Sequence, residues 1–164
     1  MGYGGPAGLI AALAVVVRMA APLGAAAGCA PDTVELRGPS GVARFSVEIA
    51  DTPDEQARGL MFREHMASSA GMLFVFPRPK HAVFWMKNTL IPLDMLFIDA
   101  TGRVTRVHPQ AVPQDETPID GGDGVKMVLE INGGLAARLG LAEGAEMRSA
   151  ALEPSGALWP CSAP

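Results

Sequence analysis

At 164 residues, 49% apolar and 18% charged, the chain is long enough for one sizeable core and too apolar to be disordered. Its 19 glycines and 14 prolines mark a turn-rich globular composition and exclude a coiled coil. A formal net charge of −4 and the lack of any Lys/Arg cluster argue against nucleic acid bound through its phosphates and against an anionic membrane surface.

The first 28 residues differ in kind from the rest. Leu9 to Val17 is an unbroken apolar run, and Leu23 to Gly28 is small and Ala-rich. This reads as a secretory signal peptide cleaved near Ala27. A membrane span needs about 20 predominantly apolar residues, and Arg18 would fall in its middle, so stable insertion of the mature chain is not expected. Residues 29–164 then form a single β-rich domain. Cys29 and Cys161 bracket that domain, and an even cysteine count in an exported chain predicts a disulfide between them. The alternative is that Ala26-Ala27-Gly28-Cys29 is a lipobox and Cys29 carries a lipid anchor.

In chain order, Thr33–Arg37 and Val42–Ala50 flank a Gly/Pro/Ser turn and predict an opening hairpin. Thr52-Pro53-Asp54-Glu55 predicts a capped helix start, with the helix ending near Gly59. Gly71–Phe76 is a short apolar run suited to a buried strand, Pro77–Lys80 a surface turn, and His81–Met86 a further strand. Leu93–Asp99 and Arg103–Val107 read as strands, Pro109–Gly124 as an acidic loop, and Lys126–Asn132 as a buried strand. A short helix over Gly134–Leu139 precedes a last strand, Glu146–Leu152. Strands follow one another through turns and do not alternate with helices. The predicted class is therefore all-β and mainly antiparallel: a compact sandwich, jelly-roll-like or partly open barrel, with two short helices.

Five segments carry a resemblance. They are Arg58–Arg63, Gly71–Phe76, Phe84–Thr89, Ile91–Asp94 and Val128–Gly134. In this order they resemble the domain of unknown function 192 family, over about Val34 to Leu152. The resemblance implies a compact all-β domain with two short helices, often exported in bacteria, and hence a periplasmic location. It implies no activity, because no biochemical function is established for that family.

The residues that stand out chemically are Arg58, Trp85, Lys87, Asn88, Asp94 and Glu130. Each polar member sits beside apolar neighbours, and charged groups are rarely buried unless paired. One reading pairs Lys87 with Asp94 and Arg58 with Glu130 as fold-specifying ion pairs. The other makes these residues a pocket, walled by Trp85, for a polar or anionic small molecule of unknown identity. Asp94 and Glu130 as a hydrolytic carboxylate pair form an alternative, and copper(I) held by methionines a weaker one. No nucleophile–base pair, phosphate loop or metal-ligand spacing is recognisable, so neither a catalytic residue nor a cofactor is assigned. Oligomeric state is not legible at this level.

Overall fold

The computed structural model describes residues 1, 2, 4, 29–152 and 156–163. The apolar run Leu9–Val17 and the expected cleavage zone near Ala27 lie outside the described residues. Seven strands form one sheet: β1 (Thr33–Gly38), β2 (Gly41–Ala50), β3 (Ala70–Phe84), β4 (Leu93–Asp99), β5 (Val104–Ala111), β6 (Ile119–Asn132) and β7 (Glu146–Ser149). Two short helices, α1 (Pro53–Arg58) and α2 (Leu135–Leu139), complete the architecture.

The strand order is β5-β4-β6-β3-β2-β1-β7. Every neighbouring pair is antiparallel except β2 and β3. That parallel pair follows from the connection between them, because α1 and the segment after it carry the chain back before β3 begins. A crossover of that kind is what parallel neighbours require. The two edge strands of the sheet meet at one end. Arg103 bridges Glu146, the Val104 amide donates to the Ala145 carbonyl at 2.8 Å, and the Met147 amide donates to the Gly102 carbonyl at 2.7 Å. The sheet is thus a partly open barrel whose two edges meet at this end.

Alternation along the strands divides the apolar side chains between two cores. Val34, Leu36, Phe45, Leu73, Leu129 and Met147 belong to the first, which fills the concave side. Met72, Phe74, Phe97 and Val128 belong to the second, on the opposite face of β3, β4 and β6, where Leu60, Met86 and Ile91 cover them. Adjacent residues such as Met72 and Leu73 fall in different cores, as a period of two demands. The second core carries the candidate site.

The predicted cap of α1 is formed. Thr52 Oγ1 accepts from the Glu55 amide at 3.4 Å, and a Glu55 carboxylate oxygen accepts from the Thr52 amide at 3.1 Å. Gly59 closes the helix at φ 48°, where a side chain would be strained and a Cβ would also meet the Phe74 ring at 3.1 Å.

The structure corrects two expectations. Pro77–Lys80 is not a free turn: it lies within β3, and the β3–β6 register shifts between Val75 and Lys80. Prolines cannot donate to the ladder, so the strand passes them as a bulge and then resumes. Residues 109–124 are also shorter as a loop than expected, since β5 runs to Ala111 and β6 starts at Ile119. Gly121 belongs to that strand because Phe97 occupies its side-chain space; a Cβ there would sit 2.1 Å from the Phe97 ring.

The predicted disulfide is present. Cys29 and Cys161 are bonded with their Cα atoms 5.2 Å apart, across a sequence separation of 132. The bond fixes a C-terminal segment whose Trp159 is buried between Arg37 and Arg148, at 4.8 and 4.2 Å from its ring. Burial alone would raise the Glu35 carboxyl beneath this stack. Hydrogen bonds from Arg148 and Arg44 outweigh it and hold Glu35 below the usual carboxylate range.

Candidate functional site

A pocket of about 260 Å³ opens on the second core. One wall is the end of α1 and the residues after it, Gln56 to Met61; the other is the segment Val83 to Thr89 that leaves β3. Its base is aromatic. Phe74, Phe84 and Phe97 stack edge to face, with centroids 5.1 and 5.9 Å apart, and the first two line the cavity.

Strand register places Glu130 in this base. It pairs with Met72 of β3 on one side and Met95 of β4 on the other, so its carboxyl projects from the sheet between two buried methionines. The residue is only 4% exposed yet lines the pocket. Among the described residues its carboxyl has no hydrogen-bond or ion-pair partner within reach. Burial pushes the acid from its ordinary value near 4.5 up to about 8. At neutral pH it is therefore a neutral carboxylic acid, a hydrogen-bond donor facing a cavity.

Three cations line the same pocket: Arg58, Lys80 and Lys87. None forms an ion pair among the described residues. Arg58 and Lys80 are exposed, and Lys87 is half-buried with its ammonium 5.1 Å from the Trp85 ring centre. Lys80 stands 4.1 Å from the Phe76 ring. Trp85 and Lys87 share a side because Met86 between them is turned fully inward, its amide donating to the Asp115 carbonyl at 2.8 Å.

The two walls are joined at one corner. The Phe62 amide donates to the Asn88 carbonyl at 2.8 Å, and Asn88 Nδ2 lies 3.8 Å from Met61 Sδ. Both Phe62 and Asn88 hold positive φ, 62° and 54°. Left-handed backbone is unusual for a bulky residue such as Phe62, and its ring is 66% exposed, so no burial compensates it there.

Of the residues singled out from sequence, Arg58, Trp85, Lys87 and Glu130 converge on this pocket, and Asn88 braces its wall. Asp94 does not join them. It pairs in register with Ile131, one residue beyond Glu130, so it projects from the opposite face of the sheet. There it is fully buried and accepts from the amides of Gln110 at 2.8 Å, Gly134 at 2.9 Å and Ala136 at 2.7 Å. Neither Lys87–Asp94 nor Arg58–Glu130 forms an ion pair within 4.0 Å. With the two carboxyls on opposite faces, a paired-carboxylate hydrolytic site is not assembled. The buried methionines Met72, Met86 and Met95 pack within the second core. No group of three or more His, Cys, Asp or Glu side chains is placed to hold a metal ion among the described residues. No described helix is long and apolar enough to cross a membrane.

Sequence reasoning missed Lys80, Phe76 and Thr89 as pocket residues. Lys80 was hidden because Pro77–Lys80 reads as a surface turn, whereas it continues β3 on the face that carries Phe74, Phe76 and Phe84. Phe74 and Phe76 carry the one signal that was readable: two aromatics at a spacing of two share a face.

Fold and site together define a partly open all-β barrel with a cation-rimmed pocket on its outer face. The chain belongs to the DUF192 family, described as an uncharacterized ACR, which it matches over residues 34–149. Two solved structures are similar to it. A protein of unknown function from Novosphingobium aromaticivorans DSM 12444 is 46% identical, with a TM-score of 0.70, covering 71% of this chain and 83% of that one. A protein of Sinorhizobium meliloti 1021, described as a candidate transcription regulator, is 41% identical with a TM-score of 0.72, covering 76% of this chain and 98% of that one. No curated protein matches the chain.

Proposed function

We propose that this is an exported, single-domain protein that binds a small organic anion in the pocket between α1 and the Val83–Thr89 segment. The observation that carries this reading is the buried, unpartnered Glu130 at the base of a cavity rimmed by Arg58, Lys80 and Lys87. Unpaired buried polar groups cost stability, so a fold that keeps one facing a cavity has a use for it. Three cations on the rim favour an anion, and Arg58 can meet a carboxylate with two parallel hydrogen bonds. Trp85 and Phe84 supply flat apolar surface for the rest of the molecule. The volume, below the range of about 300–1,000 Å³ usual for drug-sized ligands, sets the ligand as small.

Export is supported by the apolar run before Cys29 and by the disulfide, a bond that persists in oxidising compartments. A DNA-binding role, in line with the description of the Sinorhizobium relative, is disfavoured by the acidic balance of this chain, with a pI near 5.3.

Titration of a panel of small carboxylates, followed by NMR at the Trp85 indole and the backbone from Arg58 to Met61, tests the reading. Shifts confined to these residues, weakened in the Arg58→Ala/Lys87→Ala double variant, are expected. Absence of any such shift at millimolar concentrations, or binding indifferent to the double variant, would sink it.

A further inference from the structure

We infer that the pocket selects an organic anion that also carries a neutral hydrogen-bond acceptor, a carbonyl or ether oxygen, which Glu130 meets as a donor. An oxo acid has this pair of groups. The inference rests on the anion-binding reading above and specifies the ligand's other end.

The cavity is asymmetric in charge. All of its cations, Arg58, Lys80 and Lys87, belong to α1, to β3 and to the segment after β3. They are the charged groups that face Glu130. Its strand neighbours, β3 and β4, set Met72 and Met95 beside it, and α1 contributes Arg58 alone among charged residues of the lining. No cation lies within ion-pair distance of the Glu130 carboxyl among the described residues. A carboxylate there would stand uncompensated between two methionines and three phenylalanine rings, so the neutral acid is the form this base accommodates.

A neutral acid has one proton to donate, and no acceptor among the described residues receives it where it faces the cavity. An acceptor oxygen on the ligand satisfies it without adding charge to an apolar base. An inorganic anion held at the rim leaves that proton unmatched. An amine could pair with an ionised Glu130, but it would have to lie beneath three cations, which oppose it. The ligand that suits both ends is anionic outward and carries a carbonyl or ether oxygen further in, with its flat or apolar part against Phe84 and Trp85.

A matched set of probes tests this: benzoylpropionate, its carbonyl-free analogue phenylbutyrate, and the cationic phenylbutylamine, measured by calorimetry or NMR titration. The two acids carry the same carboxylate, so any change in the rim lysines with pH affects both alike and their ratio reads Glu130. At about pH 6 benzoylpropionate should bind about three- to tenfold more tightly than phenylbutyrate, the worth of one hydrogen bond. The preference should vanish at about pH 9.5 as the acid ionises. Glu130→Gln keeps a neutral N–H donor and should retain the preference at both pH values, whereas Glu130→Leu should abolish it. Equal binding of the two acids, a preference unchanged in Glu130→Leu, or tighter binding of phenylbutylamine overturns the inference while leaving a ligand pocket standing. Failure of every probe to bind overturns the anion-binding reading itself, and the inference with it.

Discussion

At the scale of single residues, Glu130 and Asp94 show how one position of strand register separates two fates for a carboxyl. Glu130 faces the pocket with no partner and is pushed up to about 8; Asp94 faces the other way and is held by three backbone amides. The consequence for stability has a definite sign. The folded protein keeps the Glu130 proton up to about pH 8, whereas the unfolded chain releases it near 4.5. Between those values the folded state binds the extra proton, so stability falls as pH rises, by about 5 kcal/mol once pH exceeds 8. Urea melts of the wild type between about pH 5 and pH 9 should show this decline. Glu130→Gln, which has nothing to ionise, should flatten that part of the profile. An unchanged slope in the variant would assign the decline elsewhere.

At the scale of elements, Asp94 is a staple. Its carboxylate ties the end of β5, through Gln110, and the start of α2, through Gly134 and Ala136, to β4. Asp94→Ala removes the acceptor of three amides, that of Ala136 buried and those of Gln110 and Gly134 part-buried. A buried amide left unsatisfied costs about 1–3 kcal/mol, so a loss of a few kcal/mol is expected in denaturant melts. Hydrogen exchange should locate the loosening in α2 and the end of β5, with the pocket walls spared. Trp159 plays a comparable part for the C-terminal segment; Trp159→Ala removes a buried ring stacked on two guanidinium groups and should cost about 3–5 kcal/mol. Much of this level was legible in advance. The capping box at Thr52 and Glu55, the αL stop at Gly140 and the buried β6 strand follow from local chemistry that reads directly from residue types. What was not legible lies where two strands must agree. The bulge at Pro77–Pro79 and the burial of Gly121 against Phe97 depend on partners distant in sequence, and a proline or glycine run reads as a turn until its partner is known.

At the scale of the whole molecule, the chain is a partly open, mostly antiparallel barrel with a single parallel pair, tied from near its start to its end by the terminal disulfide. Closing a loop across 132 residues is worth about 5 kcal/mol on the chain-entropy account. The Cys29→Ser/Cys161→Ser variant should therefore melt markedly lower while keeping the same far-ultraviolet spectrum. Four of the six residues picked out from sequence do meet at the pocket, because apolar runs interrupted by polar groups mark places where charge approaches a core. The face each one occupies was beyond reach, since Asp94 and Glu130 read alike as carboxylates in apolar strands and only register separates them. That separation turns a candidate carboxylate pair into a staple on one side and a neutral acid on the other. The state of that acid is measured most directly by carbon-13 NMR of the Glu130 side-chain carboxyl, assigned by comparison with Glu130→Gln and titrated in the folded protein. A midpoint near 8 is the predicted result. A midpoint near 4.5, the ordinary value, would contradict the account.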